Sequence, residues 1–184
     1  MSCAMALASL APVAVTEVFL MRAISMDQAL SILLNTFKHA ETMKAHALAA
    51  IVLDAGGRVK AFLKQDGAAL MRFELARGKA FAALSLHRSS RMVLHKSRDK
   101  PIFMDTMREL ADGPIFLEAG GQLIRDEFGE IIGAIGVTGD VNEVDDICSI
   151  EGIRASGLKC DDDFTEEQCK RLNIKKAPPI NDPR

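Results

Sequence analysis

Polar and apolar positions alternate along this chain in two distinct periods. After Ser25 and Gln28, which stand three apart as the two halves of a capping box, Ala29, Leu30, Leu33, Leu34 and Phe37 recur at helical spacing. This predicts a first helix over Met26–Met43. The pattern then becomes strand-like: "LAAIVLD" is apolar on both faces, "RVKAFLK" follows, and Ala55-Gly56-Gly57 lies between them. Strands are predicted at Ala47–Asp54 and Arg58–Lys64. The glycine tripeptide reads as a hairpin turn, because a phosphate-cradling loop would have to open a helix, and β-branched and aromatic residues follow instead. An Ala- and Leu-rich segment predicts a second long helix over Ala68–Leu86, and a helical stretch from Arg91 to Ala111 is interrupted at Pro101. Three strands are then expected, at Ile115–Glu118, Gln122–Asp126 and Glu130–Val137, the last two joined by a turn at Glu127-Phe128-Gly129. A final helix opens at Thr138-Gly139-Asp140, capped by Thr138 or Asp140, and runs to Ser156. In the tail, Thr165 and Gln168 cap a short helix ending near Leu172, and "APPINDPR" reads as extended.

Two hairpins and a fifth strand, set among helices, predict an α+β domain with a five-stranded antiparallel sheet. The doubly apolar first strand requires helices on both faces, which makes a three-layer α/β/α sandwich. With 184 residues the chain suits one domain. It is divided as an N-terminal segment (1–24), a domain (25–158) and a C-terminal tail (159–184). The apolar stretch Cys3–Val15 has signal-peptide length, but no Lys or Arg precedes it and Glu17 interrupts it, and it is too short for a membrane span. The expectation is a retained cytoplasmic segment acting as an interface arm; the alternative is export on an atypical signal.

Charge narrows the partners. Lys+Arg number 23 against Asp+Glu 25, a net charge of −2 without any basic run, so no nucleic-acid or membrane partner is expected. Small molecules and other protein chains remain. Cys3, Cys148, Cys160 and Cys169 lack the spacing of a zinc site and read as reduced thiols, with Cys160 and Cys169 near enough in sequence to pair. His39, His46, His87 and His95 form no i, i+4 ligand pair, so no metal is predicted.

The candidate chemistry begins in the second helix, where Glu74 and Arg77 fall inside the stripe Leu70, Phe73, Ala80, Phe81 and Leu84. Either they form an ion pair at the edge of the core or of an oligomer interface, or Arg77 clamps a carboxylate or phosphate while Glu74 orients it or acts as general base. Lys79 and Arg72 are assigned to the solvated face. Gly120-Gly121 and Thr138-Gly139-Asp140 offer backbone N–H groups suited to an anion, or serve as a turn and a cap. Glu143, Asp145 and Asp146 favour the start of the last helix through its dipole.

Three blocks, "VLDAGGRVKAFLKQDGA", "FELARGKAFAALSL" and "GGQLIRDEFGEIIGAIGVTGDVNEVDDICSIEG", resemble the GlcG/HbpS-like family, also found as the C-terminal domain of some corrinoid adenosyltransferases. The resemblance spans Met26–Leu158. It implies a profilin-like fold with a five-stranded sheet, and homo-oligomers; some members resemble haem-binding or haem-degrading proteins and others accessory proteins of catabolic pathways. The family's usual Gly-Arg-Pro-Thr after the second helix is His87-Arg88-Ser89-Ser90 here, so its Thr-based haem contact does not carry over. The expected function is an oligomeric protein of a catabolic pathway that binds a small carboxylate-containing ligand near Arg77, Gly120, Gly121, Thr138, Gly139 and Asp140. One alternative is an isomerase, hydratase or decarboxylase of aromatic or hydroxy-acid catabolism, with Glu74 as acid/base and Arg77 as carboxylate clamp. The other is a haem protein with His39, His87 or His95 as axial ligand. No cofactor is predicted, because no His lies on a clear apolar stripe.

Overall fold

The computed structural model describes residues 23–178. The expected interface arm over 1–24 falls almost wholly outside them, as does most of the extended terminus. Helix α1 (Met26–Met43) has the expected ends: Ser25 Oγ accepts from Gln28 N at 3.1 Å and Gln28 Oε1 from Ser25 N at 2.9 Å. Strands β1 (Ala49–Asp54) and β2 (Val59–Lys64) form the first hairpin. Asp54 Oδ1 accepts from Gly56 N and Arg58 N, so the glycine tripeptide is a turn. Helix α2 (Arg72–Leu86) starts four residues later than expected. Pro101 splits the next stretch into α3 (Ser90–Asp99) and α4 (Pro101–Leu110), because it opens a helix without needing an N–H and cannot continue one. Strands β3 (Gly121–Arg125) and β4 (Ile131–Thr138), then α5 (Asn142–Ala155) and α6 (Glu166–Leu172), complete the chain. No helix among the described residues is long and apolar enough to cross a membrane.

The sheet has four strands, not the expected five, in the order β2-β1-β4-β3 and antiparallel throughout. The missing strand is Ile115–Glu118. Its Phe116 N donates to Gly78 O on α2 at 3.2 Å, so the segment lies along a helix and not along a strand edge. Gly78 permits this: a Cβ there would stand 2.6 Å from that of Phe116. Both faces of the sheet are covered. Ala50, Val52, Ile135 and Val137 pack with α1 and α5 on one side, and Ile51, Leu53, Leu123 and Ala134 with α2 on the other. This confirms the reading of "LAAIVLD" as a strand buried on both faces.

Charged groups lie between these layers. Lys79 Nζ on α2 meets Asp145 Oδ2 on α5 at 2.7 Å, with side chains 3% and 2% exposed. Next to it, Asp146 Oδ1 accepts from Gly120 N at 3.0 Å and from Gln122 Nε2 at 2.7 Å, while its Oδ2 lies 3.1 Å from Nη1 of the buried Arg91. Arg72 donates to Thr138 Oγ1 and to the Gly139 carbonyl. Lys79 and Arg72 therefore do not lie on a solvated face, and Asp145 and Asp146 do more than complement a helix dipole. Both sides of α2 are covered, by the sheet and by α3 with the 115–118 segment, and a one-sided helical wheel misassigns such a helix. The cap of α5 also differs from expectation: Val141 is the capping residue, and Asp145 Oδ1 reaches back to Asp140 N at 3.1 Å. Burial pushes the carboxyls of Asp145 and Asp146 up, against the pull of Lys79 and Arg91.

Two predictions follow from this core. Lys79→Met removes one partner and leaves a buried carboxylate, so it should cost about 3–5 kcal/mol, whereas adding Asp145→Asn should restore much of that. Urea unfolding curves measure both, and a wild-type midpoint for Lys79→Met would refute a stabilising role. The three described cysteines are free and buried, with no Cys160–Cys169 bridge. Burial, helped by Asp145 and Asp140, pushes the Cys148 thiol up to about 12. Because the unfolded chain ionises its thiols from about pH 8.5, the stability present below that pH declines as pH rises toward about 12. A Cys3→Ser protein should accordingly resist a thiol reagent at pH near 8 until denaturant is added.

Candidate functional site

The sequence-predicted site residues fall into two groups. Glu74 is exposed and Arg77 half-buried, and neither has an ion-pair partner among the described residues. Glu74 lines an open groove of about 650 Å³ with Asp105, Arg108, Glu109 and Pro114, and Arg77 is not part of that lining. Gly120, Gly121, Thr138, Gly139 and Asp140 do converge, around Lys79 and Asp145. There, however, the N–H groups are satisfied by the protein itself: Gly120 by Asp146, Gly121 by Ser90 Oγ at 2.8 Å, and Asp140 by Asp145. A Cβ on Gly121 would meet Lys79 O at 2.3 Å, so strand backbone lies directly against helix backbone there. The carboxylates of α5 stand where an outside anion would have to bind. Asp140 is held below the usual carboxylate range by the backbone N–H groups of His46 and Val141.

A different cavity, of about 470 Å³, opens where α2 ends. His87 and Arg88 from that end, Arg125 and Glu130 from the β3–β4 hairpin, and Asn173 and Lys175 from the tail contribute its polar lining. The tail is fastened beside it. Arg125 and Lys159 exchange backbone hydrogen bonds, Arg125 Nε meets Asp161 Oδ1 at 2.6 Å, and Phe164, Cys169 and Ile174 form a small core of their own. Arg125 also donates to Gly129 O, so its charge is matched within the fold. Arg88 and Lys175 have no carboxylate partner among the described residues; Arg88 Nε donates only to Leu86 O. Lys96 on α3 is held below the ordinary lysine value by partial burial and then by the charges of Arg88, Lys100 and Lys175.

His87 is the residue that the sequence flagged without explaining. It caps α2 with φ 48 and ψ 50, in the left-handed region, its N–H directed to Ala83 O and Leu84 O. A non-glycine residue there costs roughly 1–2 kcal/mol, which accounts for Gly at this place in the family motif and makes a His here notable. It stands exposed at the pocket. His39 and His95 line neither cavity. Ser90, in the place of the family's Thr, accepts from Gly121 N and so secures β3 to the start of α3. The cations of the pocket were missed because they come from residues 87 to 175 and form no run; the replaced glycine was their one visible signal. Among the described residues no cluster of three metal-ligating side chains occurs.

The family described as "Haem degrading protein HbpS-like" matches residues 24–154, which takes in everything from α1 to near the end of α5 and stops short of the tail. No curated protein sequence matches the chain. Among solved structures it is similar to PduOC, crystallised as a haem complex, with a TM-score of 0.65 and 20% identity, covering 74% of this chain and 97% of that one. A double mutant of HbpS from Streptomyces reticuli gives 0.65 and 23%, covering 80% and 97%, and ORFY of Klebsiella pneumoniae gives 0.62 and 20%, covering 73% and 90%. At these identities the structures share the fold, and the sequence match establishes the lineage: the chain belongs to the HbpS-like family.

Proposed function

We propose that this protein binds a small organic anion, carrying a carboxylate, in the pocket at the end of α2. The observation that supports it is a polar cavity bordered by two cations, Arg88 and Lys175, that no carboxylate of the described fold neutralises. In a recess where charge is poorly screened, such groups favour an anion, and an arginine offers it a fork of donors. The ligand class is the one expected from the sequence, but its seat moves from Arg77 and the glycines to this pocket. The enzyme reading with Glu74 and Arg77 loses ground because neither described cavity is lined by both. We further read the protein as a profilin-like homo-oligomer serving a catabolic pathway; Leu70, Ile102 and Leu110, 90%, 82% and 81% exposed, are apolar surface that assembly would cover.

Haem is a second reading of the same pocket. PduOC was crystallised with haem. Here His87 would hold the iron, Leu86, Ile131 and Leu172 would supply apolar wall, and Arg88 and Lys175 would suit the two propionates. Bound haem would supply redox and oxygen chemistry; the residues of this chain would only hold and orient it.

Thermal shift distinguishes these readings. Small carboxylates and hydroxy acids should raise the melting temperature of the wild type, and Arg88→Met should abolish the rise while melting normally without ligand. If no acid shifts the wild type, the anion reading falls. A stoichiometric hemin complex whose Soret band is lost in His87→Ala would move the assignment to haem.

A further inference from the structure

We infer that this site takes an acid with two anionic groups, and that the tail supplies the second recognition half through Lys175. The inference rests on the reading that the pocket binds an organic anion. Its starting point is that the two unneutralised cations belong to different parts of the chain. Arg88 follows α2, within the residues that match the family; Lys175 lies in the tail, beyond the match at residue 154. The cavity is therefore a composite, with Leu172, Asn173 and Lys175 contributed by a segment outside the family domain.

Lys175 is placed there by the fold around it. Asn173 ends α6 in the left-handed conformation, φ 53, and turns the chain back; Ile174, 6% exposed, is buried with Phe164 and Cys169, and its N–H donates to Cys169 O at 2.9 Å. With its predecessor fixed in this way, Lys175 projects from an anchored point. Its neighbour Lys176 lies 4.0 Å from Glu166, whereas Lys175 has no such partner among the described residues. The tail does not depend on Lys175 for its attachment. The backbone exchange between Arg125 and Lys159, the Arg125–Asp161 contact and the Arg154–Asp163 contact at 2.7 Å hold it without help. An exposed lysine that contributes nothing to anchoring, yet borders the same cavity as an arginine without a carboxylate partner, is explained by what enters that cavity.

The number of charges follows from the electrostatics. Arg88 and Lys175 line one cavity, and the acidic residue in that lining, Glu130, is exposed and forms no ion pair with either. A monoanion would relieve one of the two cations and leave the other unmatched. A dianion relieves both, and because the two cations are held on anchored segments, the second contact brings little further loss of freedom beyond the first. A cavity of about 470 Å³ is ample for a short-chain diacid.

The test is calorimetric titration of the full-length chain at low ionic strength with straight-chain diacids, from butanedioate to octanedioate, each against the monoacid of equal length. The wild type should prefer at least one diacid over its monoacid by about ten-fold. Lys175→Ala should remove that preference, weakening the diacids far more than the monoacids at an unchanged melting temperature, while Lys175→Arg should restore it. Arg88→Met should weaken both classes. Equal binding of monoacids and diacids, or a diacid preference that survives Lys175→Ala, overturns the two-headed site while leaving the anion reading intact. Absence of binding by every acid overturns that reading and this inference together.

Discussion

The contact between α2 and the β3–β4 half of the sheet governs the rest of this structure. It is unusually close: a Cβ on Gly136 would stand 2.0 Å from Ala76 O, and one on Gly121 2.3 Å from Lys79 O, so helix backbone rests directly on strand backbone. At that distance the helix cannot shift along the sheet without collision. The same approach buries Lys79 and carries it to Asp145, while Gly120 and Gln122 at the start of β3 engage Asp146. A buried ion pair adds little net stability over an apolar substitute, but it has only one satisfactory arrangement, and here that arrangement sets how α2 and α5 sit relative to each other. With α2 fixed, its last residue, and hence His87 and Arg88, is fixed too.

The pocket is thus a consequence of where a helix stops. A glycine after Leu86 would relax the left-handed cap and leave the wall bare; His87 accepts the strain and presents a ring to the cavity. The opposite wall is the tail, docked through Arg125, which meets Asp161 with its side chain and Lys159 with its backbone. Since Arg125 lies at the end of β3, the strand that α2 presses on also carries the tail, and both walls refer back to one contact.

Much of this organisation was legible in the sequence, and the failures have physical causes. The ends of α1 and α6 were readable because capping is a local interaction between residues three apart, and both boxes form as expected. The break at Pro101 and the turn at Ala55-Gly56-Gly57 were readable for the same reason. Ile115–Glu118 was misread because an extended apolar segment looks alike whether it joins a sheet or lies along a helix; the decision is made by Gly78, 37 positions before the segment begins. Lys79, Arg72, Asp145 and Asp146 were misassigned because a charge on a helix surface looks solvated until its partner, 66 residues away in two cases, is known. The glycines at 120, 121 and 139 lie where backbone closely approaches backbone, a role that the sequence alone does not distinguish from a place kept open for a ligand.

The distribution of charge separates scaffold from site within this fold. Where the chain must hold itself together, each cation has an anion within reach: Lys79 with Asp145, Arg91 with Asp146, Arg125 with Asp161, Arg154 with Asp163. The first three pairs are buried and span different elements, as expected of groups that fix geometry. Arg88 and Lys175 break that rule at one cavity, even though the chain as a whole has slightly more acidic than basic side chains. What sets Arg88 and Lys175 apart from the other cations without an ion pair is that both border one cavity. The cavity lies beside His87, which stands where the family motif has glycine, and one of the two cations comes from the segment that follows the family match.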